Sequence, residues 1–169
     1  MKPLVSVILT TKNNERIVER CLCSVAKQTY PYIELIVVDN FSTDQTLTLA
    51  KRFTKKVYSH GPERSAQRNY GARHAKGSYL FFIDSDMELQ PDTVQKCMDV
   101  ARKVGGAIIV DEHFIGKGYW SRCKALEKRC YTGTQDAEAA RFVRKDLFLK
   151  IQGYDELLTG PEDLDFHKR

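Results

Sequence analysis

Residues 79–87, Tyr-Leu-Phe-Phe-Ile-Asp-Ser-Asp-Met, constrain this chain more than any other stretch. Five apolar or aromatic residues run without a break, and two aspartates follow one residue apart. An unbroken run of this length suits a strand buried on both faces. In extended backbone, residues i and i+2 point the same way. Asp84 and Asp86 therefore present two carboxylates to one spot at the carboxyl edge of a sheet, where open α/β sheets bind ligands. Two carboxylates that close repel unless a cation lies between them or one is protonated. Oxygen-only ligands suit Mg²⁺ or Mn²⁺ better than zinc, and one or two carboxylates plus substrate phosphates is the usual way Mg²⁺ is held. The competing reading is a strand-end turn with two solvated acids.

The rest of the chain supplies the sheet that such a strand needs. Leu4 to Thr10 reads as a first buried strand, followed by the polar loop Thr11-Lys12-Asn13-Asn14-Glu15, in which Asn14 is placed to cap a helix. Ile17, Val18, Cys21, Leu22 and Val25 recur at helical spacing, and Pro31 ends that helix. Ile33 to Asp39 is a second buried strand. Ser42-Thr43-Asp44-Gln45 matches a capping box and predicts a helix from Thr43 to Phe53. Lys56 to Tyr58 is a short edge strand, and Glu63 to Lys76 a basic helix closed by Gly77 as a C′ glycine. After the Asp84 strand, Gln90-Pro91-Asp92 opens another helix, Gly105-Gly106 ends it, and Ala107 to Val110 is a further short strand. Helices alternating with apolar strands predict one α/β domain over 1–169, with a mostly parallel sheet covered on both faces. Right-handed crossovers then bring the strand C-termini to one edge. Beyond Asp111 the pattern is less regular: a helix near Tyr119 to Cys130, a strand from Ala139 to Val143, a short helix from Lys145 to Ile151, and a last helix after Gly160-Pro161 with Glu162 and Asp163 in its first turn.

Composition excludes several classes. With 169 residues the chain can bury a sizeable core as one domain. No apolar run approaches the roughly 20 residues of a membrane span. Met1-Lys2-Pro3 enters a strand-like run at once, so no signal peptide is expected. Five cysteines, with no C-x-x-C pair, argue against a disulfide framework and a zinc site and for a reducing, cytoplasmic setting. The net charge of +5 suits an anionic ligand such as a nucleotide or a phospholipid surface. No nucleic-acid partner is expected.

Several stretches then agree with one pattern: Val5 to Thr11 with Asn13; Ile36-Val37-Val38-Asp39-Asn40 with Ser42-Thr43-Asp44; Arg68-Asn69-Tyr70-Gly71 with Ala75-Lys76-Gly77; Asp84-Ser85-Asp86; Gly153-Tyr154-Asp155-Glu156; and Glu162-Asp163-Leu164-Asp165. In this order and spacing they resemble the family 2 glycosyltransferases, which have the GT-A nucleotide-sugar fold. The resemblance implies transfer of a sugar from a nucleotide-diphospho-sugar donor to a hydroxyl of a glycan or lipid-linked acceptor, usually with inversion. It implies Asp86 as the direct ligand of Mg²⁺ or Mn²⁺, with Asp84 reaching the ion through water or holding the ribose and Ser85 between them on the donor side. It implies Asp163 as the base that takes the acceptor proton, and Glu162 as the acid that shapes the site or binds the acceptor. Thr10, Thr11 and Asn13 are placed to meet ribose and base, as are Asp39 and Asn40. Many family members carry an acid where this chain has Asn40, and that acid accepts from the uracil imide; an amide can donate or accept, which leaves the base open. Arg64 and Arg68, one helical turn apart, are expected to face one diphosphate.

Two other functions compete. A sugar nucleotidyltransferase also needs Mg²⁺ and an α/β sheet, but it would bring a Gly-rich loop straight after strand one, and residues 11–15 hold no glycine. A truncated domain that binds nucleotide sugar without turnover fits a chain that stops soon after the Glu-Asp pair, and the stretch from Gly160 onward is then expected to be mobile. Tyr119 and Trp120 beside Arg122, Lys124, Lys128 and Arg129 form an aromatic-plus-basic mix that suits peripheral contact with an anionic membrane surface.

Overall fold

The computed structural model describes residues 2–113, 118–120, 122–123, 125–126 and 140–169. Its centre is β1 (Val5–Thr11), with every residue buried. β1 lies parallel to β2 (Ile33–Asp39) on one side and to β4 (Tyr79–Asp84) on the other. β3 (Val57–Ser59) extends the sheet parallel to β2. On the far side of β4, β6 (Ala140–Arg144) runs antiparallel to β4 and to the outermost strand, β5 (Ala107–Ile109). The order is β3-β2-β1-β4-β6-β5, so four contiguous strands are parallel and one antiparallel strand joins β5 to them.

The alternation of side chains along β1 splits the core in two. Val5, Val7 and Leu9 pack under α1 (Val18–Ala26), α2 (Thr46–Ala50) and α4 (Thr93–Val104). Ile8 points to the other face, which carries Ala72 of α3 (Arg64–His74), Phe148 of α5 (Lys145–Lys150) and Phe166 of α6 (Glu162–Lys168). Helices on both faces are what a sheet of near-continuous apolar strands requires. Gly71 lets α3 approach β1 closely: a Cβ there would sit 2.5 Å from Cγ2 of Ile8.

Several local expectations change. α2 begins at Thr46 instead of Thr43, because Ser42 bonds Asp39 and the Asp44 carboxylate accepts from the Thr46 amide and hydroxyl. The Asn14 side chain does not cap α1; the main-chain carbonyl of Asn14 accepts the amides of Ile17 and Val18, and its side-chain amide donates to the Ser85 hydroxyl. Gly77 is not a left-handed C′ residue. α3 already ends at an extended Ala75, and the glycine serves a close approach, since a Cβ would meet Ser6 Oγ at 2.5 Å and Leu4 O at 2.7 Å. The last stretch is anchored by packing that local sequence does not show. Phe166 is buried and stacks on Tyr154 with centroids 4.4 Å apart, and Arg169 donates to the carbonyls of Ile151 and Gly153. Of the expected helix over 119–130, residues 119–120, 122–123 and 125–126 are helical; the rest lie outside the described residues, as does Ala139 of the expected last strand.

Candidate active site

The strand register builds the site. Thr10 pairs with Val38 and Asp84, and Thr11 with Asp39, so three strand ends meet at one edge. The sheet order reverses direction between β1 and β4, where a crevice opens in folds of this kind. A cleft of about 480 Å³ lies there, lined by residues that include Thr10, Thr11, Asn40, Arg64, Asp84, Ser85 and Asp86. A larger cavity, beside Val25, Ile33 and Phe53, holds none of these.

The two aspartates of the opening motif have separated roles. Asp84 is tightly engaged: Oδ1 accepts from the Thr10 hydroxyl at 3.0 Å and from Arg68 Nη2 at 3.2 Å, and Oδ2 lies 3.3 Å from Arg141 Nη1. Burial alone would raise its pKa, but Arg68, Arg141 and the Thr10 hydroxyl outweigh that and hold the carboxyl below its ordinary range. Asp86 is exposed on the cleft and makes no hydrogen bond or ion pair among the described residues. Ser85 is buried, its hydroxyl accepting from Asn14 Nδ2 at 2.6 Å. Among the described residues no cluster of three metal-ligating side chains forms. One free carboxylate fits a divalent ion whose remaining ligands are diphosphate oxygens and water.

α3 organises the other acids. Arg68 has no exposed surface; its Nη1 donates to Asp163 Oδ1 at 2.7 Å while its Nη2 holds Asp84. Its guanidinium also lies 5.0 Å from the ring centre of Tyr154, within cation–π range. Burial works against the Arg68 charge, yet Asp84, Tyr154 and Asp163 push its pKa further up. Tyr154 is buried, which pushes its phenol up to about 12. One turn earlier, Arg64 Nη2 donates to Glu162 Oε1 at 2.9 Å, and Glu162 Oε2 accepts the Gly160 amide. The expected diphosphate clamp of Arg64 and Arg68 is thus a clamp on the Glu162-Asp163 pair. Arg68 is sealed behind two carboxylates, whereas Arg64 stays half exposed on the cleft. Asn69, also on α3, brackets Tyr154 by accepting its amide and donating to its carbonyl, which ties the Gly153 to Glu156 stretch to the same helix.

The remaining expected residues form the frame. Asp39 is fully buried and accepts from the Ser42 amide and hydroxyl, so it shapes the loop that carries Asn40 and does not face the cleft. Asn13, exposed with φ 45°, accepts from the Thr43 amide and ties the loops after β1 and β2 together. Asn40 lines the cleft and donates to the Pro62 carbonyl. Thr11 Oγ1 is buried without a partner among the described residues. Four contributors were not foreseen: Asn14, Gln67, Asn69 and Arg141. Gln67 is buried and donates to the carbonyls of Thr11 and Val38, joining the ends of β1 and β2. Asn69 stood in the Arg68-Asn69-Tyr70-Gly71 motif without an assigned role, and Arg141 was visible as a charge inside an otherwise apolar expected strand.

With this geometry in view, comparison with known proteins is decisive for the family. The sequence profile of glycosyl transferase family 2 matches residues 6–151. The chain belongs to glycosyl transferase family 2. It is 33% identical over 119 residues to poly(ribitol-phosphate) beta-N-acetylglucosaminyltransferase TarS of Staphylococcus aureus, covering 64% of this chain and 19% of TarS. It is 28% identical to the GalNAc(5)-diNAcBac-PP-undecaprenol beta-1,3-glucosyltransferase of Campylobacter jejuni, covering 95% of this chain and 57% of that enzyme. This family 2 chain therefore spans well under two thirds of either relative. The crystal structure of S. aureus TarS 1–349 with UDP-GlcNAc superposes with a TM-score of 0.70 at 25% identity, covering 97% of this chain and 52% of that one. The mannosyltransferase PcManGT of Pyrobaculum calidifontis, in complex with GDP-Man and Mn²⁺, matches in fold with a TM-score of 0.72 at 20% identity, covering 96% and 50%. The fold is the GT-A arrangement.

Proposed function

We propose that this chain transfers a sugar from a nucleotide-diphospho-sugar to an acceptor hydroxyl, with inversion and with a divalent ion. The observation that carries the reading is the pairing of Glu162 and Asp163 with Arg64 and Arg68, which ties a helix-borne acid pair to α3, whose Arg64 lines the cleft together with Asp84, Ser85 and Asp86. Thr10, Thr11 and Asn40 line the part of the cleft assigned to the nucleotide, with Asn13 and Asp39 holding its loops. Arg64 is the cation placed to meet the diphosphate. Asp86, with Asp84 behind it, would hold Mg²⁺ or Mn²⁺, whose Lewis acidity favours departure of the nucleoside diphosphate. Asp163 takes the acceptor proton as the new glycosidic bond forms. Its Oδ1 is held by Arg68, its other oxygen has no hydrogen-bond partner among the described residues, and its side chain is 30% exposed. A base must have an oxygen free to accept the proton, and the Asp163 oxygen that Arg68 does not hold is the one available. Glu162, nearly buried and held by Arg64, shapes the acceptor side.

The relatives support a donor such as UDP-GlcNAc or GDP-Man and a polymeric or lipid-linked acceptor, as their names state for them. The unpaired Cys21, Cys23, Cys97 and Cys123 agree with a reducing, cytoplasmic location. The exposed Tyr119, Trp120 and Leu126, beside Arg122, support peripheral docking on an anionic membrane face. No helix among the described residues is long and apolar enough to cross a membrane.

Thermal shift against UDP-, GDP- and dTDP-sugars, with Mn²⁺ or with EDTA, tests the donor and metal assignments. One nucleotide class should stabilise the protein only with metal, and Asp86→Ala should abolish that dependence. Equal stabilisation by all three with EDTA present would sink the metal role. Product analysis with the stabilising donor then separates transfer from hydrolysis and from binding alone. Flotation with anionic liposomes at low salt tests the docking; protein that stays at the bottom refutes it.

A further inference from the structure

Among the described residues, Arg141 is the charged side chain that the antiparallel part of the sheet brings to Asp84. Its neighbours on β6, Ala140, Phe142 and Val143, are buried, and its own side chain is 9% exposed. A guanidinium taken out of water is tolerated only where carboxylates meet it. Nη1 lies 3.3 Å from Asp84 Oδ2, and Nε donates to Glu112. Arg141 is not among the described residues that line the cleft.

What it does follows from how the neighbouring charges are shared. Asp163, Arg68, Asp84, Arg141 and Glu112 form a row of alternating sign across α6, α3, β4, β6 and the segment after β5. Arg68 stands between two acids and divides its guanidinium between them, Nη1 on Asp163 and Nη2 on Asp84. Arg141 supplies the second cation on the Asp84 carboxylate, from β6. We infer that Arg141 is a positioning residue of the donor site: it fixes Asp84 at the end of β4, leaving Arg68 free to be shared with Asp163. The inference rests on the cleft being the nucleotide site, as proposed above.

The test is nucleotide affinity of the whole chain by titration calorimetry, with UDP, GDP and dTDP in the presence of Mn²⁺. Arg141→Met should weaken the nucleotide that binds by about 10- to 100-fold, the range typical for partners that orient ligating groups. Arg141→Lys keeps the charge but not the fork, and should fall between that variant and the wild type. Arg144→Met, on the same strand but paired with the exposed Asp146, should bind like wild type. A merely structural role would lower melting temperature and the active fraction while leaving the affinity of the folded molecules unchanged. That result in Arg141→Met overturns the inference. If the Met variant does not fold, wild-type affinity in Arg141→Lys does the same. Wild-type protein that binds nucleotide but transfers no sugar, with the Arg141 variants still weakened, would refute the transfer reading and leave this inference standing. Wild-type protein that binds none of the three nucleotides overturns both.

Discussion

Thr10, Thr11 and Asp84 reach the cleft from β1 and β4, where a ladder of main-chain hydrogen bonds sets every position. Glu162 and Asp163 come from a seven-residue helix with no such ladder, and their positions depend on two arginines 98 and 95 residues earlier. The first wall is built by backbone period and register; the second by long-range ion pairs and by Phe166 packed on Tyr154. Substitutions on the strand side should therefore act on binding while the fold persists. Substitutions at the α3–α6 contact should mix catalysis with stability, because the contact that aims the acids also holds the helix.

The largest effect tests the helix side alone. Asp163→Asn keeps shape and a hydrogen-bond acceptor for Arg68 but cannot take a proton. Steady-state kinetics should show kcat reduced by about 10²- to 10⁴-fold with donor affinity almost unchanged. Near wild-type turnover would move the base to Asp165 or Glu162.

Arg68→Met cuts between the two walls. It leaves Asp84 leaning on Arg141 alone and Asp163 without its cation. Breaking a buried pair from one side typically costs about 3–5 kcal/mol, and urea unfolding should show a loss of that order. A loss under 1 kcal/mol would mean that packing alone holds α6, and the contrast between the walls would fail. Glu162→Gln should do less: its one amide oxygen can still accept from Arg64 but no longer from the Gly160 amide as well, and a several-fold rise in acceptor KM with a small fall in Tm is the expected result.

The smallest effect is one of pH. Asp84 has a folded pKa below its unfolded one, so it adds stability above the usual carboxylate range, and that contribution disappears as pH falls through the folded value. Wild-type protein and Asp84→Asn, followed by circular dichroism, should differ in stability near neutral pH and converge below about pH 4. Parallel curves across that range would show that the carboxylate is not held by its arginines.

Local sequence carried the parts of this protein that depend on near neighbours. The run from Tyr79 to Ile83, the alternation along β1 and the spacing of Val18, Cys21, Leu22 and Val25 follow from strand and helix periods, and they were enough to imply a mostly parallel sheet with its acids at one edge. Motif order was enough to suggest the family. Partner choice was not legible. Nothing in the spacing of Arg64 and Arg68 distinguishes a phosphate from a carboxylate as the group they grip, since both offer a pair of oxygens to the guanidinium fork. Asp39, Asp84 and Asp86 read alike as strand-end acids, yet one is buried beneath a loop, one is locked between two arginines and one is open to the cleft. Arg141 belongs to the same class: its charge was visible in the strand, but its two acids come from residues 84 and 112. Periodicity is a property of neighbouring residues and survives in the linear chain. Which charges pair, and which carboxylate stays free, is decided only when strands and helices far apart in sequence are brought together out of water.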